Sequence, residues 1–182
     1  DKVVVVTGFR EPLTRGISAY FQNIDDPKSS WYLGNSGYVS QAEISSVINH
    51  FEKNIKTNLD IVNSWLPKFE KVCGFKVPNY NSSDFMIKVC LGNVHHYFYK
   101  LERFDNFCKY LTEDELFADV LPFGISNDSK HKWYGPIYKN FLSAYTIKQN
   151  LYDRLYGNVD YVNRFYTKKE ITNIVDKYFF RP

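Results

Sequence analysis

Phosphate-binding chemistry is indicated by polar side chains that follow an apolar run near the start of the chain. The four valines Val3–Val6 lead through a Gly-Phe-Arg turn to Arg10, Thr14, Arg15 and Ser18. A guanidinium can place two N–H groups on a phosphate, and a serine hydroxyl can donate a further hydrogen bond. The same residues fit a plain strand–turn–helix in which the arginines face solvent and the serine packs on a sheet. The residue types alone leave both interpretations open.

The elements that would position these side chains are a short strand and the helix after it. Val3–Thr7 is a largely β-branched run, typical of a central strand in a parallel sheet that is covered on both faces. A helix is predicted over Pro12 to about Asn23, because proline suits the first turn of a helix. Free backbone N–H groups at its start favour an anion there. Thr14 and Arg15 precede Ser18 by four and three residues, so the three side chains share one helix face.

The segment VVVVTGFREPLTRGISAYFQ resembles the 3′-phosphate-binding segment of sulfotransferases that use 3′-phosphoadenosine-5′-phosphosulfate (PAPS). In that family a hydrophobic strand precedes the pattern R-[DE]-P-x-x-R-x-x-S-x-[YF], which is present here as Arg10, Glu11, Pro12, Arg15, Ser18 and Tyr20. The resemblance implies that Arg10 and Ser18 hold the 3′-phosphate of the cofactor. Thr14 and Arg15, on the same helix face as Ser18, complete this part of the predicted cofactor site.

Later segments extend the resemblance over most of the chain. WLPKFEKVCGFKV, YFYKLERFDNF, KHKWYGPIYKNF and YGNVDYVNRFYTKKEITNIVDKYF are similar to the capsular polysaccharide synthesis family, which is sulfotransferase-like. The implied fold is α/β, a three-layer sulfotransferase or P-loop NTPase-like fold with a small, mainly parallel sheet and many helices, in a single domain over residues 1–182. The implied enzyme moves a sulfuryl group from PAPS to a carbohydrate hydroxyl in capsular or other surface polysaccharide. The alternative is a non-catalytic nucleotide- or glycan-binding protein of the same fold.

One half of such a cofactor site has no counterpart in the sequence. Related enzymes hold the 5′-phosphosulfate in a P-loop-like cradle upstream of the 3′-phosphate segment, and no G-x-x-x-x-G-K-[ST] or similar cluster occurs here. Because the matching segment starts at Val3, the cradle and its βα unit are expected before Asp1, in a longer protein. The alternative is a protein that has lost the first half of its cofactor site. The catalytic base is unknown. His95 and His96 are neighbours on a predicted strand and must point to opposite faces, and His50 is expected to be a structural histidine.

Two further positions fit more than one interpretation. Glu102 stands where many sulfotransferases have a Tyr-Glu-Asp-Leu-type strand end, with Arg103 in place of the usual Asp. The sequence fits two interpretations of Glu102: a functional residue, or a strand-end charge that caps the next helix. Lys132 lies in the loop SKHKWYG, where a basic cluster precedes Trp133 and Tyr134. We expect Lys132 to contact the cofactor, although contact with an acidic sugar, or a solvated loop in which Trp133 anchors the next helix, fits the residues as well.

The remaining elements follow from hydrophobic periodicity and turn residues. A helix is predicted from Ser40 to about Glu70, kinked or broken near Pro67, and two strands are predicted in MIKVCLGNVHHYFYKL, joined at Gly92-Asn93. The segment TEDELFADVL is predicted to be a short helix with Thr112 and Glu115 as a capping box. Further helices are predicted from about Pro136 to Phe180, with an interruption near Gly157-Asn158.

Composition narrows the class of protein and its partners. The 182 residues are 44% hydrophobic and 24% charged, and the net charge of +3 is far from the basic excess of a nucleic-acid binder. No apolar run reaches the length of a membrane span, so neither nucleic acid nor membrane is an expected partner. Three cysteines without a C-x-x-C pair are expected to be buried, reduced thiols, which favours a bacterial cytoplasm. No metal is expected, and the oligomeric state stays open.

Overall fold

A computed structural model describes residues 2–80, 84–117, 132–157 and 159–179. These residues form an α/β structure, so the predicted class is confirmed. The elements are β1 (Val3–Phe9), α1 (Pro12–Asn23), α2 (Ser36–Gln41), α3 (Ile44–Cys73), β2 (Met86–Leu91), β3 (Val94–Lys100), α4 (Phe104–Glu113), α5 (Gly135–Ala144), α6 (Gln149–Tyr156), α7 (Asp160–Phe165) and α8 (Lys168–Phe179), with 3₁₀ turns at Leu101–Arg103 and Glu115–Phe117.

The sheet of the described residues has three strands in the order β1-β3-β2. β1 pairs with β3 in parallel, up to the pair Phe9 and Lys100, and β2 pairs with β3 antiparallel. The predicted hairpin is confirmed, with Gly92 in the left-handed region (φ 58°) that favours glycine in a tight turn. Because this hairpin adds an antiparallel strand, the sheet is mixed and the expectation of a mainly parallel sheet is wrong.

The central strand of the described sheet is β3, whereas the sequence predicts a central β1. His96, Tyr97 and Phe98 are buried in succession, so β3 is covered on both faces. In β1, by contrast, Val3 and Val6 are 48% and 45% exposed. A run of valines indicates a strand but does not fix its place in the sheet, because sheet order depends on pairings between distant segments.

Helices cover both faces of the sheet. On one face the ring of Phe98 lies 5.6 Å from that of Phe69 in α3, measured between ring centroids. On the other face Tyr99 stacks on Phe107 of α4 at 4.2 Å. This alternation places two apolar clusters on opposite sides of β3, since neighbouring side chains of a strand point to opposite faces.

Two helix predictions differ from the structure. α3 continues through Pro67, which is exposed, and ends at Gly74 with φ 72°; the expected kink or break does not end the helix. The capping box at Thr112 and Glu115 is wrong, because Thr112 lies in the last turn of α4 and its hydroxyl donates to the Lys109 carbonyl. Residues 118–121 of that predicted helix lie outside the described residues. The C-terminal helices are confirmed, with further breaks after α5 and α7.

The three cysteines form no disulfide. Cys73 and Cys108 are half-buried, and Cys90 is exposed on β2. The expectation of three buried thiols is therefore wrong, because Cys90 lies near the end of β2, an outer strand of the described sheet, where its side chain is exposed.

A buried ion pair joins the end of β3 to α8. Lys100 is 2% exposed, and its Nζ donates to Glu170 Oε1 at 2.7 Å. The ammonium also lies 4.9 Å from the ring centroid of Tyr80 and 5.1 Å from that of Tyr166. Glu170 forms a capping box with Thr167, whose backbone N–H lies 2.8 Å from Glu170 Oε2. Partial burial acts to raise the pKa of Glu170, but the bonds from Lys100 and Thr167 outweigh it and lower that pKa.

We expect the substitution Glu170→Gln to lower the free energy of unfolding by about 3 kcal/mol at neutral pH, because it leaves the Lys100 ammonium buried without its counter-charge. Since the folded pKa of Glu170 is below its ordinary value, its contribution is present above that value and is lost as the pH falls through the lowered pKa. The difference in free energy of unfolding between the variant and the unchanged protein should therefore shrink as the pH falls from about 5 to about 3. Urea unfolding of the two proteins at several pH values measures this difference.

The control is Asp176→Asn, which removes an exposed carboxylate from the same helix. Its deficit should stay within about 0.5 kcal/mol. An equal deficit for both variants, or a Glu170→Gln deficit that grows towards acid pH, would contradict the role of the buried pair.

Candidate anion-binding site

A cavity of about 380 Å³ lies at the carboxyl end of β1. It is lined by Thr7, Gly8, Phe9 and Arg10 from the strand and turn, by Arg15, Ser18, Ala19 and Gln22 from α1, by Trp65 from α3, and by Leu101. The predicted residues Arg10, Arg15 and Ser18 are thus brought to one cavity. Trp65, Gln22 and Leu101 are further lining residues that sequence reasoning missed. The helical periodicity of α3 predicts that Trp65 lies on a helix, but it does not predict that this helix packs against α1 at the cavity.

Arg10 is held in place from within its own segment. Its Nε donates to Thr14 Oγ1 at 3.0 Å, one helical turn away. Thr14 does not line the cavity, and its hydroxyl orients the guanidinium of Arg10; a contact between Thr14 and a cofactor stays a prediction. The two terminal nitrogens of Arg10 make no hydrogen bond to the described residues and are the ones able to fork onto an anion.

Arg15 is held against an aromatic ring. Its guanidinium carbon lies 5.9 Å from the ring centroid of Trp65, within range of a cation–π contact. The buried Nε1 of Trp65 has no hydrogen-bond partner among the described residues. Within the same part of the chain, neither Arg10 nor Arg15 forms an ion pair. Two guanidinium charges thus line one cavity without a neutralising carboxylate.

Ser18 supplies a hydroxyl two helical turns beyond Arg10. Within the described chain, the one hydrogen bond of its Oγ is a long one, with 3.5 Å to Gln22 Nε2. In that contact the serine oxygen accepts, so its O–H remains able to donate. Ala19, the next residue of α1, is small and leaves the wall of the cavity open. The Ser18 hydroxyl is therefore able to donate into the cavity that Arg10 and Arg15 line.

The backbone N–H groups at the start of α1 are not free, contrary to the expectation that they bind the anion. The carboxylate of Glu11 accepts from the amide N–H of Leu13 at 2.7 Å and of Thr14 at 2.6 Å. The hydroxyl of Tyr156 in α6 also donates to it. Glu11 is 0% exposed. Because a protein carboxylate already occupies the helix N-terminus, an external anion has to bind on the flank of α1, through side chains.

Burial raises the pKa of Glu11, even though its hydrogen bonds from Thr14, Tyr156 and Leu13 act to lower it. The strand-end carboxylate Glu102 lies beside it: Glu102 Oε1 is 3.5 Å from the Glu11 amide nitrogen, and Tyr166 donates to Oε2 at 3.3 Å. α4 has no side-chain cap at its N-terminus. Glu102 therefore contacts the start of α1 and does not cap the next helix.

Lys132 is exposed and does not line the cavity. It lies just before α5, and Tyr134, the residue that directly precedes this helix, packs against Phe21 in the second half of α1, with 5.9 Å between ring centroids. Tyr134 is 7% exposed and Trp133 is 41% exposed, so Tyr134 is the aromatic anchor of this helix and not Trp133. The rest of the basic cluster lies outside the described residues. The contact between Lys132 and a cofactor stays a prediction.

The histidines lie away from the cavity. His95 and His96 point to opposite faces, as predicted: His96 packs on Phe75 at 5.0 Å between ring centroids, and His95 faces Cys90 on the other side. His50 contacts the Tyr20 hydroxyl through Nδ1 at 3.1 Å, and burial lowers its pKa. This packing confirms His50 as a structural histidine.

Comparison with protein-family models found no match, and comparisons with curated proteins and with solved structures found none either. Among the described residues, no group of three or more His, Cys, Asp or Glu side chains could hold a metal ion. None of the described helices is both long and apolar enough to cross a membrane.

We expect the substitution Glu11→Ala to lower the free energy of unfolding by about 2 kcal/mol, because it removes the cap of α1 and leaves the Tyr156 hydroxyl unpaired. Since the folded pKa of Glu11 is above its ordinary value, its contribution is complete at acid pH and declines as the pH rises through the raised pKa. The deficit of the variant should therefore grow as the pH is lowered from about 8 to about 5. Urea unfolding across this range tests it.

Glu43→Ala is the matched control, because Glu43 holds the same position at the start of α3 but makes no side-chain cap bond. Its effect should be within about 0.5 kcal/mol at every pH. A Glu11→Ala deficit that matches this control, or that stays constant with pH, would show that the buried carboxylate is not what fixes the start of α1.

Proposed function

We propose that the chain is part of a PAPS-dependent sulfotransferase that moves a sulfuryl group to a carbohydrate hydroxyl. The single observation that carries the proposal is the cavity at the end of β1, where Arg10 and Arg15 have no carboxylate partner among the described residues and Ser18 faces the same space. The eight-residue step from Arg10 to Ser18 is the one that the resemblance assigns to a 3′-phosphate.

The cavity wall is suited to a nucleotide better than to a free inorganic anion. Beside the two guanidiniums it presents apolar surface from Trp65, Phe9 and Leu101. A ribose or base can bury area against such side chains while its phosphate pairs with the arginines. Sulfuryl transfer resembles phosphoryl transfer in that positioning and charge stabilisation supply most of the rate. In this proposal, Arg10 and Ser18 fix the nucleotide and thereby the direction of the sulfuryl group.

The carbohydrate acceptor, a role in capsular or other surface polysaccharide, and a bacterial cytoplasmic location belong to the same proposal. The acceptor and the role in polysaccharide rest on the resemblance of the later segments, and the location rests on the cysteines, which form no disulfide. The lining residues favour one alternative: they are cations, hydroxyls, an amide and apolar groups, and none of these is a base at neutral pH. A non-catalytic nucleotide-binding protein of this fold therefore remains the second candidate.

We expect 3′-phosphoadenosine 5′-phosphate to raise the melting temperature of the 182-residue chain. At a concentration of about one hundred times Kd, the shift should be roughly 5–10 °C. Arg10→Ala and Ser18→Ala should each remove most of it, because the loss of a charge-assisted phosphate contact weakens binding by about ten- to one-hundredfold. Arg10→Lys should restore only part of it, since an ammonium cannot fork onto two oxygens. Thermal unfolding with and without the nucleotide measures each case.

AMP is the control ligand, because it lacks the 3′-phosphate. Arg154→Ala is the control variant, because Arg154 is an exposed arginine on α6 whose one hydrogen bond to the described residues is from NH2 to the Lys56 carbonyl, at 3.4 Å. Equal stabilisation by AMP, or an equal loss in Arg154→Ala, would remove the 3′-phosphate assignment.

Transfer of a labelled sulfuryl group from PAPS to carbohydrate acceptors separates the two candidates. Transfer that Arg10→Ala abolishes supports the enzyme. Nucleotide binding that depends on Arg10 without any transfer supports the binding protein instead.

A further inference from the structure

A thiol and an imidazole meet on the side of the sheet that carries α4, away from the anion-binding cavity. Cys90 and His95 are cross-strand partners in the β2–β3 hairpin, and Cys90 Sγ lies 3.4 Å from His95 Nδ1. The pair is fixed by backbone pairing on both sides of the Gly92 turn. Cys90 is exposed, so the sulfur is accessible to a reagent. Nothing in the proposed sulfotransferase site uses either residue.

The imidazole also lines an open cavity of about 550 Å³. The other lining residues are Lys2, Lys88, Tyr110, Glu113, Asp114, Glu115 and Leu116. Lys88 and Asp114 pair with each other at 3.3 Å, and the Tyr110 hydroxyl donates to Asp114 at 3.2 Å. Lys2, Glu113 and Glu115 leave both signs of charge at the rim, which suits a small molecule that carries carboxylate and ammonium groups together.

We propose that Cys90 is a reactive thiol, with His95 as its base, that exchanges with a low-molecular-weight disulfide. His95 takes the proton from the thiol, and the resulting thiolate attacks one sulfur of the disulfide. The new bond joins Cys90 Sγ to that sulfur, the disulfide S–S bond breaks, and the departing thiolate takes the proton from the imidazolium. The products are a mixed disulfide on Cys90 and one free small thiol, and no oxidant other than the disulfide is consumed.

The two other cysteines provide a contrast within the same molecule. Cys108 is half-buried, and its pKa is raised by burial and by the charge of Asp105. Cys73 is half-buried as well. Neither has a hydrogen-bonded imidazole among the described residues. Because the thiolate is the nucleophile, Cys90 should react first.

The test exposes the full chain to oxidised glutathione and follows each cysteine by mass spectrometry of peptides. At pH 7 we expect Cys90 to form the mixed disulfide at least about tenfold faster than Cys73 or Cys108. This comparison needs no variant, so it cannot be lost to misfolding. Equal rates at the three cysteines, or a faster rate at Cys108, would overturn the proposal.

His95→Gln tests the role of the imidazole. It should slow the reaction of Cys90 at pH 7 by about tenfold and leave Cys73 and Cys108 unchanged. The difference should narrow near about pH 9, where ordinary thiols ionise without a base. An unchanged rate, or a slowing that is the same at both pH values, would show that His95 does not act as the base. The charged groups that face the pair, Lys2, Lys88, Glu113, Asp114 and Glu115, are retained in this variant.

Discussion

The buried carboxylate of Glu11 is the interaction on which the candidate site depends. By accepting from the amides of Leu13 and Thr14, it starts α1 directly after β1 and sets the direction in which the helix leaves the sheet. Arg10 then lies in the turn and Ser18 two turns along, on the same side. Burial of a carboxylate is costly, and three hydrogen-bond donors offset part of that cost. The cap therefore helps to fix both side chains relative to the cavity.

The acidic and basic side chains around the end of the sheet differ in how they are paired. The carboxylates of Glu11, Glu102 and Glu170 each accept hydrogen bonds from the protein itself. The guanidiniums of Arg10 and Arg15 meet a hydroxyl and an indole ring, respectively, but no counter-charge among the described residues. Since the anions are satisfied internally and the cations are not, this pairing supports the proposal that the cavity binds an external anion. The identity of that anion is proposed from the spacing of the motif.

Short-range pattern predicted much of this structure. The valine run, Pro12 and the Gly92 turn each act within a few residues, and the strand, helix and hairpin they indicate are present. The Glu11 cap was missed because glutamate is not among the usual N-cap residues. The capping box was placed at Thr112 although the sequence repeats the same T-x-x-E pattern at Thr167, where the structure has it. Contacts between distant segments were out of reach, among them the place of β3 in the sheet and the approach of Trp65 to Arg15.

A crystal structure of the chain with 3′-phosphoadenosine 5′-phosphate tests the central claim most directly. The account predicts electron density for the 3′-phosphate in the cavity at the end of β1, within hydrogen-bond distance of the Arg10 guanidinium and Ser18 Oγ. Arg15 should remain against Trp65, and the Glu11 carboxylate should still accept hydrogen bonds from the first amide N–H groups of α1. A nucleotide phosphate bound elsewhere, or one that displaces Glu11 from the helix N-terminus, would contradict the account.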